Sequence, residues 1–149
     1  MEQIYLAIMA QLKQEVPCLK WIDLDEGQLE YYTERPALSF PCVLIDIALT
    51  ECRDLYPGAQ LCNATVGIRI AQNIATSRTN SVAIETTRKT ALERYQLIEK
   101  IHKSLSGSYF KPACFNPLSR TSQQKEKRDD GLFVIRIDFQ TQFKETLNS

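Results

Sequence analysis

Cys42-Val43-Leu44-Ile45-Asp46-Ile47-Ala48-Leu49, followed beyond Tyr56-Pro57-Gly58 by Cys62-Asn63-Ala64-Thr65-Val66-Gly67-Ile68-Arg69-Ile70, is the stretch on which the fold turns. The first run is nearly continuous in apolar residues, the composition of a central strand buried on both faces. The second alternates, with Cys62, Ala64, Val66, Ile68 and Ile70 on one side and Asn63, Thr65, Gly67 and Arg69 on the other. That period of two buries a single face. Pro57-Gly58 supplies turn chemistry between the runs, so they form an antiparallel pair. Asp46 interrupts the apolar run, and a carboxylate inside a buried strand has to be paired or hydrogen-bonded. An ion pair to a neighbouring strand or subunit is the expectation.

Upstream, Ile4, Ile8 and Leu12 fall at four-residue spacing with Tyr5, Met9 and Val16 beside them, the stripe of an amphipathic helix that Pro17 ends. Trp21, Ile22 and Leu24 make a short apolar run before Asp25-Glu26-Gly27, consistent with a brief strand and a turn. From there through Arg35-Pro36 the chain reads as an irregular connector. Downstream, Gln72 to Thr87 is a long polar loop rich in Ser, Thr and Asn. Ala91, Leu92, Tyr95, Ile98, Ile101, His102 and Leu105 then recur at three and four residues, a second helix for which Gly107 is placed to give a left-handed cap. Its other face carries Arg88, Lys89, Glu93, Arg94, Glu99, Lys100 and Lys103 and is solvated surface.

Beyond Pro117, a polar stretch from Ser119 to Asp130 precedes Gly131 and the alternation Phe133, Ile135, Ile137, Phe139, Thr141 and Phe143. Asp130-Gly131 is a turn signal, so these residues form a terminal hairpin whose tip protrudes. The order of elements predicts an α+β fold, an antiparallel sheet of about four strands with two helices packed on one face. A chain of 149 residues fits one domain spanning 1–149, able to bury roughly 68–70% of its unfolded surface.

Composition narrows the function. Lys plus Arg and Asp plus Glu cancel at 18 each, so no global field draws the chain onto nucleic acid or an anionic membrane. Met1-Glu2-Gln3 lacks the basic lead of a signal peptide, and the apolar stretch Ile4 to Ala10 is too short to span a bilayer, so neither export nor a membrane is expected. Cys18, Cys42, Cys52, Cys62 and Cys114 contain no CxxC pair and read as reduced thiols, with Cys42 and Cys62 filling strand cores.

No catalytic site is recognisable. His102, the one histidine, lies among Ile98, Ile101 and Leu105, where a packed helix histidine outweighs a general base for a cysteine nucleophile. Asp23, Asp25 and Glu26 lack the glycine and spaced oxygen ligands of a calcium loop and read as a solvated turn. The glycines are isolated, so no phosphate-cradling loop is present. No cofactor and no metal are expected. The basic run Lys125-Glu126-Lys127-Arg128, with Arg120 upstream and Arg69 on the polar side of its strand, offers candidate contacts to a protein partner or to DNA.

The layout resembles the phage tail terminator and tail-completion (minor tail) proteins. The resemblance rests on Phe40-Pro41-Cys42-Val43-Leu44-Ile45, the helix Ala91 to Leu105, and Gly131-Leu132-Phe133-Val134-Ile135-Arg136-Ile137-Asp138-Phe139. It implies a non-enzymatic structural protein of a phage or prophage that assembles in the bacterial host cytoplasm. Its place would be the virion tail, as a homo-oligomeric ring, commonly a hexamer, joining the tail tube to the head-proximal connector, with DNA passing through. The family defines no catalytic positions, so Arg69, Arg120, Lys125, Lys127 and Arg128 stand only as candidate contacts. The alternatives are a monomeric or dimeric adaptor of a phage-like assembly, a nucleic-acid-binding domain and a small cysteine-dependent enzyme.

Overall fold

The computed structural model describes residues 1–30, 38–73 and 79–147. Helix α1 (Glu2–Glu15) leads into strand β1 (Trp21–Leu24) and one turn of 3-10 helix at Gln28–Glu30. Strands β2 (Cys42–Tyr56) and β3 (Ala59–Asn73), helix α2 (Glu85–Leu105), and strands β4 (Ser119–Lys125) and β5 (Leu132–Thr146) follow. The connector through Arg35-Pro36 and the polar loop from Gln72 lie partly outside the described residues, at 31–37 and 74–78.

The sheet has five strands in the order β1-β2-β3-β5-β4. It is mixed, where about four antiparallel strands were expected: β1 runs parallel to β2, pairing Trp21 with Cys42 through Leu24 with Ile45. A parallel neighbour needs a crossover long enough to bring the chain back to the same end of the sheet. The segment between Leu24 and Cys42 provides it. All other pairings are antiparallel, and Pro57-Gly58, with Gly58 at φ +88°, closes the β2/β3 hairpin as its turn chemistry requires.

Strand parity sorts the side chains. Val43 and Ile45 of β2, Val66, Ile68 and Ile70 of β3, and Phe133, Ile135, Ile137 and Phe139 of β5 share one core with Ile4, Ile8 and Leu12 of α1 and Ile98, Ile101 and Leu105 of α2. Both helices therefore cover the same face. Gln11 secures them to each other by donating from Nε2 to the Ser104 carbonyl at 2.9 Å. A smaller apolar cluster lies on the opposite face at one end of the sheet, where Leu29, Cys42, Leu44, Ala71, Leu132 and Val134 meet.

Three local expectations change. Gly107 does not adopt a positive φ; the helix ends at Ser106 with extended backbone. Gly107 is instead where the chain passes close to Pro117, whose ring a Cβ would approach at 3.1 Å. Helix α2 also begins earlier than its apolar stripe, at Glu85. Finally, β2 is buried only over its first four residues, Cys42–Ile45. A strand of this length reaches about 50 Å, whereas the 14 residues of α1 reach about 21 Å. Helix α1 runs out and the apolar run continues into solvent.

The consequence is an arm. Ile47 still packs against the core; from Ala48 to Tyr56, β2 continues beyond it, paired with β3, which is in turn paired with the end of β5. Leu49, Leu55 and Tyr56 are exposed along it. Side-chain truncation should separate the two halves of this strand. Ile45→Ala is expected to cost about 2–5 kcal/mol of unfolding free energy by urea titration. Leu55→Ala should stay within about 0.5 kcal/mol.

Candidate functional site

The five basic candidates do not form one patch. Arg69 is buried on the sheet face opposite the helices. Its ladder neighbours are Leu44 of β2 and Arg136 of β5. A guanidinium there must be met by carboxylates, because an unpaired buried charge is far too costly. Glu126 accepts a bidentate pair, from Nε and Nη2 at 2.8 Å each. The Arg69 Nη1 reaches Glu30 at 2.6 Å and Asp25 at 3.2 Å. Burial is the largest single influence on this guanidinium and acts against its charge. The hydrogen bonds of Glu126, Glu30 and Asp25, with the charge of Glu126, outweigh it and hold the group's pKa above its ordinary value.

Arg128 extends the network, its side chain also buried. It bonds Asp130 at 2.7 Å, Glu126 at 3.1 Å and Glu30 at 3.4 Å, and donates from Nη2 to the Leu29 carbonyl. Glu30 and Glu126 thus each bridge both arginines. The hairpin loop after β4 consequently does not protrude as expected. It folds back over the sheet end because Arg128 has carboxylate and carbonyl partners there, on the turn that carries Leu29.

The turn at Asp25-Glu26-Gly27 is shaped to meet them. Gly27 takes φ +81°, Asp25 Oδ1 accepts from the Gly27 amide at 3.0 Å, and Gln28, itself buried, accepts from the Glu26 amide at 2.7 Å. Asp25 is therefore a half-buried ion-pair partner rather than part of a solvated turn. Asp46 does form the expected inter-strand pair, with Arg136 at 3.8 Å, but is itself exposed. Arg136 also bonds Asp138 at 3.0 Å and lies across Gly67, where any Cβ would occupy the guanidinium's place.

The other candidates are exposed. Arg120 and Lys125 lie on β4, an edge of the sheet, and Lys127 on the loop that follows. Arg120 donates to Gln123 at 2.9 Å, and the Lys125 ammonium sits 5.3 Å from the centre of the Phe133 ring. Sequence reasoning missed Asp25, Glu30, Glu126 and Asp130 as partners. A single arginine on an otherwise small or apolar stretch of strand, between Gly67 and Ala71, was the available signal.

His102 stacks on Phe139 with ring centres 6.1 Å apart. Burial, and secondarily the charge of Arg120, push its pKa below the ordinary imidazole value. Cys42 and Cys62 are buried, as their strand positions suggested, and Cys18, Cys52 and Cys114 are exposed. Among the described residues no cluster of His, Cys, Asp and Glu could hold a metal ion, and no helix is long and apolar enough to cross a membrane. What the arrangement offers is surface: an arm, a basic polar edge strand, and two loops tied together by ion pairs.

No protein-family model matches the chain, and no curated protein does. Among solved structures, a chain described as "Virion of native gene transfer agent (GTA) particle" is similar at a TM-score of 0.50 and 11% identity. The match covers 95% of this chain and 94% of that one. At this identity the likeness is one of fold, along nearly the whole length of both chains.

Arg69→Met should destabilise the protein by about 2–4 kcal/mol, because Asp25, Glu30 and Glu126 lose their shared counter-ion. Adding Glu126→Leu to Arg69→Met should recover part of that loss in the same urea titration. For His102, the lowered folded pKa means that the unfolded chain takes up a proton first as pH falls. Its contribution is whole above the unfolded pKa and is lost as pH drops through the folded one. His102→Phe should remove this component from stability measured between pH 7 and 5. In an NMR titration, the His102 midpoint should lie below the ordinary value and move up in Arg120→Gln.

Proposed function

We propose that this chain is a structural subunit of a phage-like particle, one domain over residues 1–149 that completes the tail and acts through protein-protein contacts without catalysis. The observation that carries this reading is the end-to-end likeness of fold to a chain of a gene transfer agent virion. The element order from Phe40-Pro41 to the closing hairpin supports it. In this reading the subunits close a ring, commonly of six, on the tail tube. The ring joins the tube to the head-proximal connector and lets DNA through, and it assembles in the bacterial host cytoplasm.

The edges of the sheet give the reading a physical basis. Past Ile45, the outer side of β2 has no strand partner among the described residues, and neither has the outer side of β4. Unpaired edges invite strand pairing with another chain, and head-to-tail contacts close into rings when the rotation allows. Of the five basic candidates, Arg120, Lys125 and Lys127 are left to meet a neighbour, the tube or DNA. Arg69 and Arg128 hold the subunit's own loops and serve any partner only by keeping that surface in shape.

Light scattering coupled to size exclusion over a concentration series, followed by negative-stain imaging with and without tail-tube ends, tests the reading. Ring-shaped species are the expected result. The triple variant Arg120→Glu, Lys125→Glu, Lys127→Glu should assemble at least about tenfold more weakly with its thermal midpoint unchanged. A strict monomer under every condition, with tube ends present, would overturn the ring and favour an adaptor.

A further inference from the structure

Cys52 and Cys62 stand directly opposite each other in the β2/β3 ladder, within the arm. Both are free thiols. Directly opposed residues of an antiparallel pair have Cα atoms about 4.5–5.5 Å apart and side chains on the same face. Disulfides span Cα separations of about 4.4–6.8 Å. The backbone therefore already holds the two residues at bridging distance. Cys62 is buried and Cys52 exposed, so a reagent in solution meets Cys52 first. No other cysteine is opposite either residue in the ladder.

We propose that Cys52 and Cys62 form an oxidisable modification site, closing to a cross-strand disulfide by exchange with a low-molecular-weight disulfide when the protein moves from a reducing to an oxidising medium. This inference does not depend on the tail reading. The Cys52 thiolate attacks one sulfur of the small disulfide, forms a mixed disulfide and expels one small thiolate. Cys62, deprotonated, then attacks the Cys52 sulfur, forms the Cys52–Cys62 bond and expels the second thiolate. The two protons released by the protein thiols end on the two small thiols. The protein pair is oxidised by two electrons and the small disulfide is reduced by two.

Burial, followed by the hydrogen bond with Cys52 and then the nearby Glu145, pushes the Cys62 thiol up to about 11. Its Sγ lies 3.9 Å from a Glu145 carboxylate oxygen. The second step thus draws on a small thiolate fraction at neutral pH and accelerates as pH rises. In a reducing cytoplasm the pair stays as two thiols. Outside it, the bond staples the two strands of the arm to each other.

The test uses the full reduced chain and oxidised glutathione at pH 7 and pH 8.5, with acid quench, alkylation under denaturing conditions, intact mass and peptide mapping. Expected is the joint loss of free thiol at Cys52 and Cys62, a cross-linked peptide containing both, and faster closure at the higher pH. Cys52→Ser, a change at an exposed position, should keep Cys62 alkylatable throughout. Three results would overturn the proposal: both thiols persisting, glutathione resting on Cys52 with Cys62 still free, or a bridge that maps to Cys18, Cys42 or Cys114. The wild-type peptide map decides the matter whatever the folding of the variant.

Discussion

A guanidinium in the middle of a sheet is the constraint on which much of this structure depends. Arg69 sits on the central strand, and its charge cannot be buried unless carboxylates surround it. They come from two loops far apart in sequence, Asp25 and Glu30 before β2 and Glu126 after β4. Each loop is therefore positioned by the same side chain. Arg128 returns the favour from the second loop to the first, through Glu30 and the carbonyl of Leu29. Leu29 is then held in one apolar cluster with Leu44, Ala71 and Val134, against which Leu38 and Phe40 also pack. A polar network and an apolar cluster close the same end of the sheet together.

Much of the architecture was legible because its signals are local. The alternation of Cys62 to Ile70 and of Phe133 to Phe143 marks two strands and the faces they bury, and the stripe from Ala91 to Leu105 marks a helix. What could not be read locally is direction and extent. Trp21–Leu24 has too few residues to show a period, and its parallel pairing is set by a crossover whose path is a tertiary matter. The apolar run from Cys42 looked buried throughout because nothing in it records that α1 is much shorter than the strand it covers.

The site was legible only in part, for a related reason. Arg69 and Arg128 were recognisable as unusual charges, but the pattern that marks a charge as a contact residue is the same whether its partner is another molecule or a loop of the same chain. The pairing of Arg69 across 39 to 57 positions leaves no local period, and that of Arg128 with Glu30 spans 98. Arg120, Lys125 and Lys127 are different: they occupy a short strand and the loop after it, with hardly an apolar side chain, and exposure follows from that composition alone.

The three long strands have a mechanical consequence. β2, β3 and β5 lie side by side, anchored in the core at one end and free of it at the other. A pull directed along the strands loads many backbone hydrogen bonds at once, in shear, so no single bond yields before its neighbours share the force. A sideways push is opposed chiefly by the bending of a thin ribbon. The arm is therefore stiff lengthwise and compliant across its width, able to carry tension along its axis while adjusting its angle to whatever it meets.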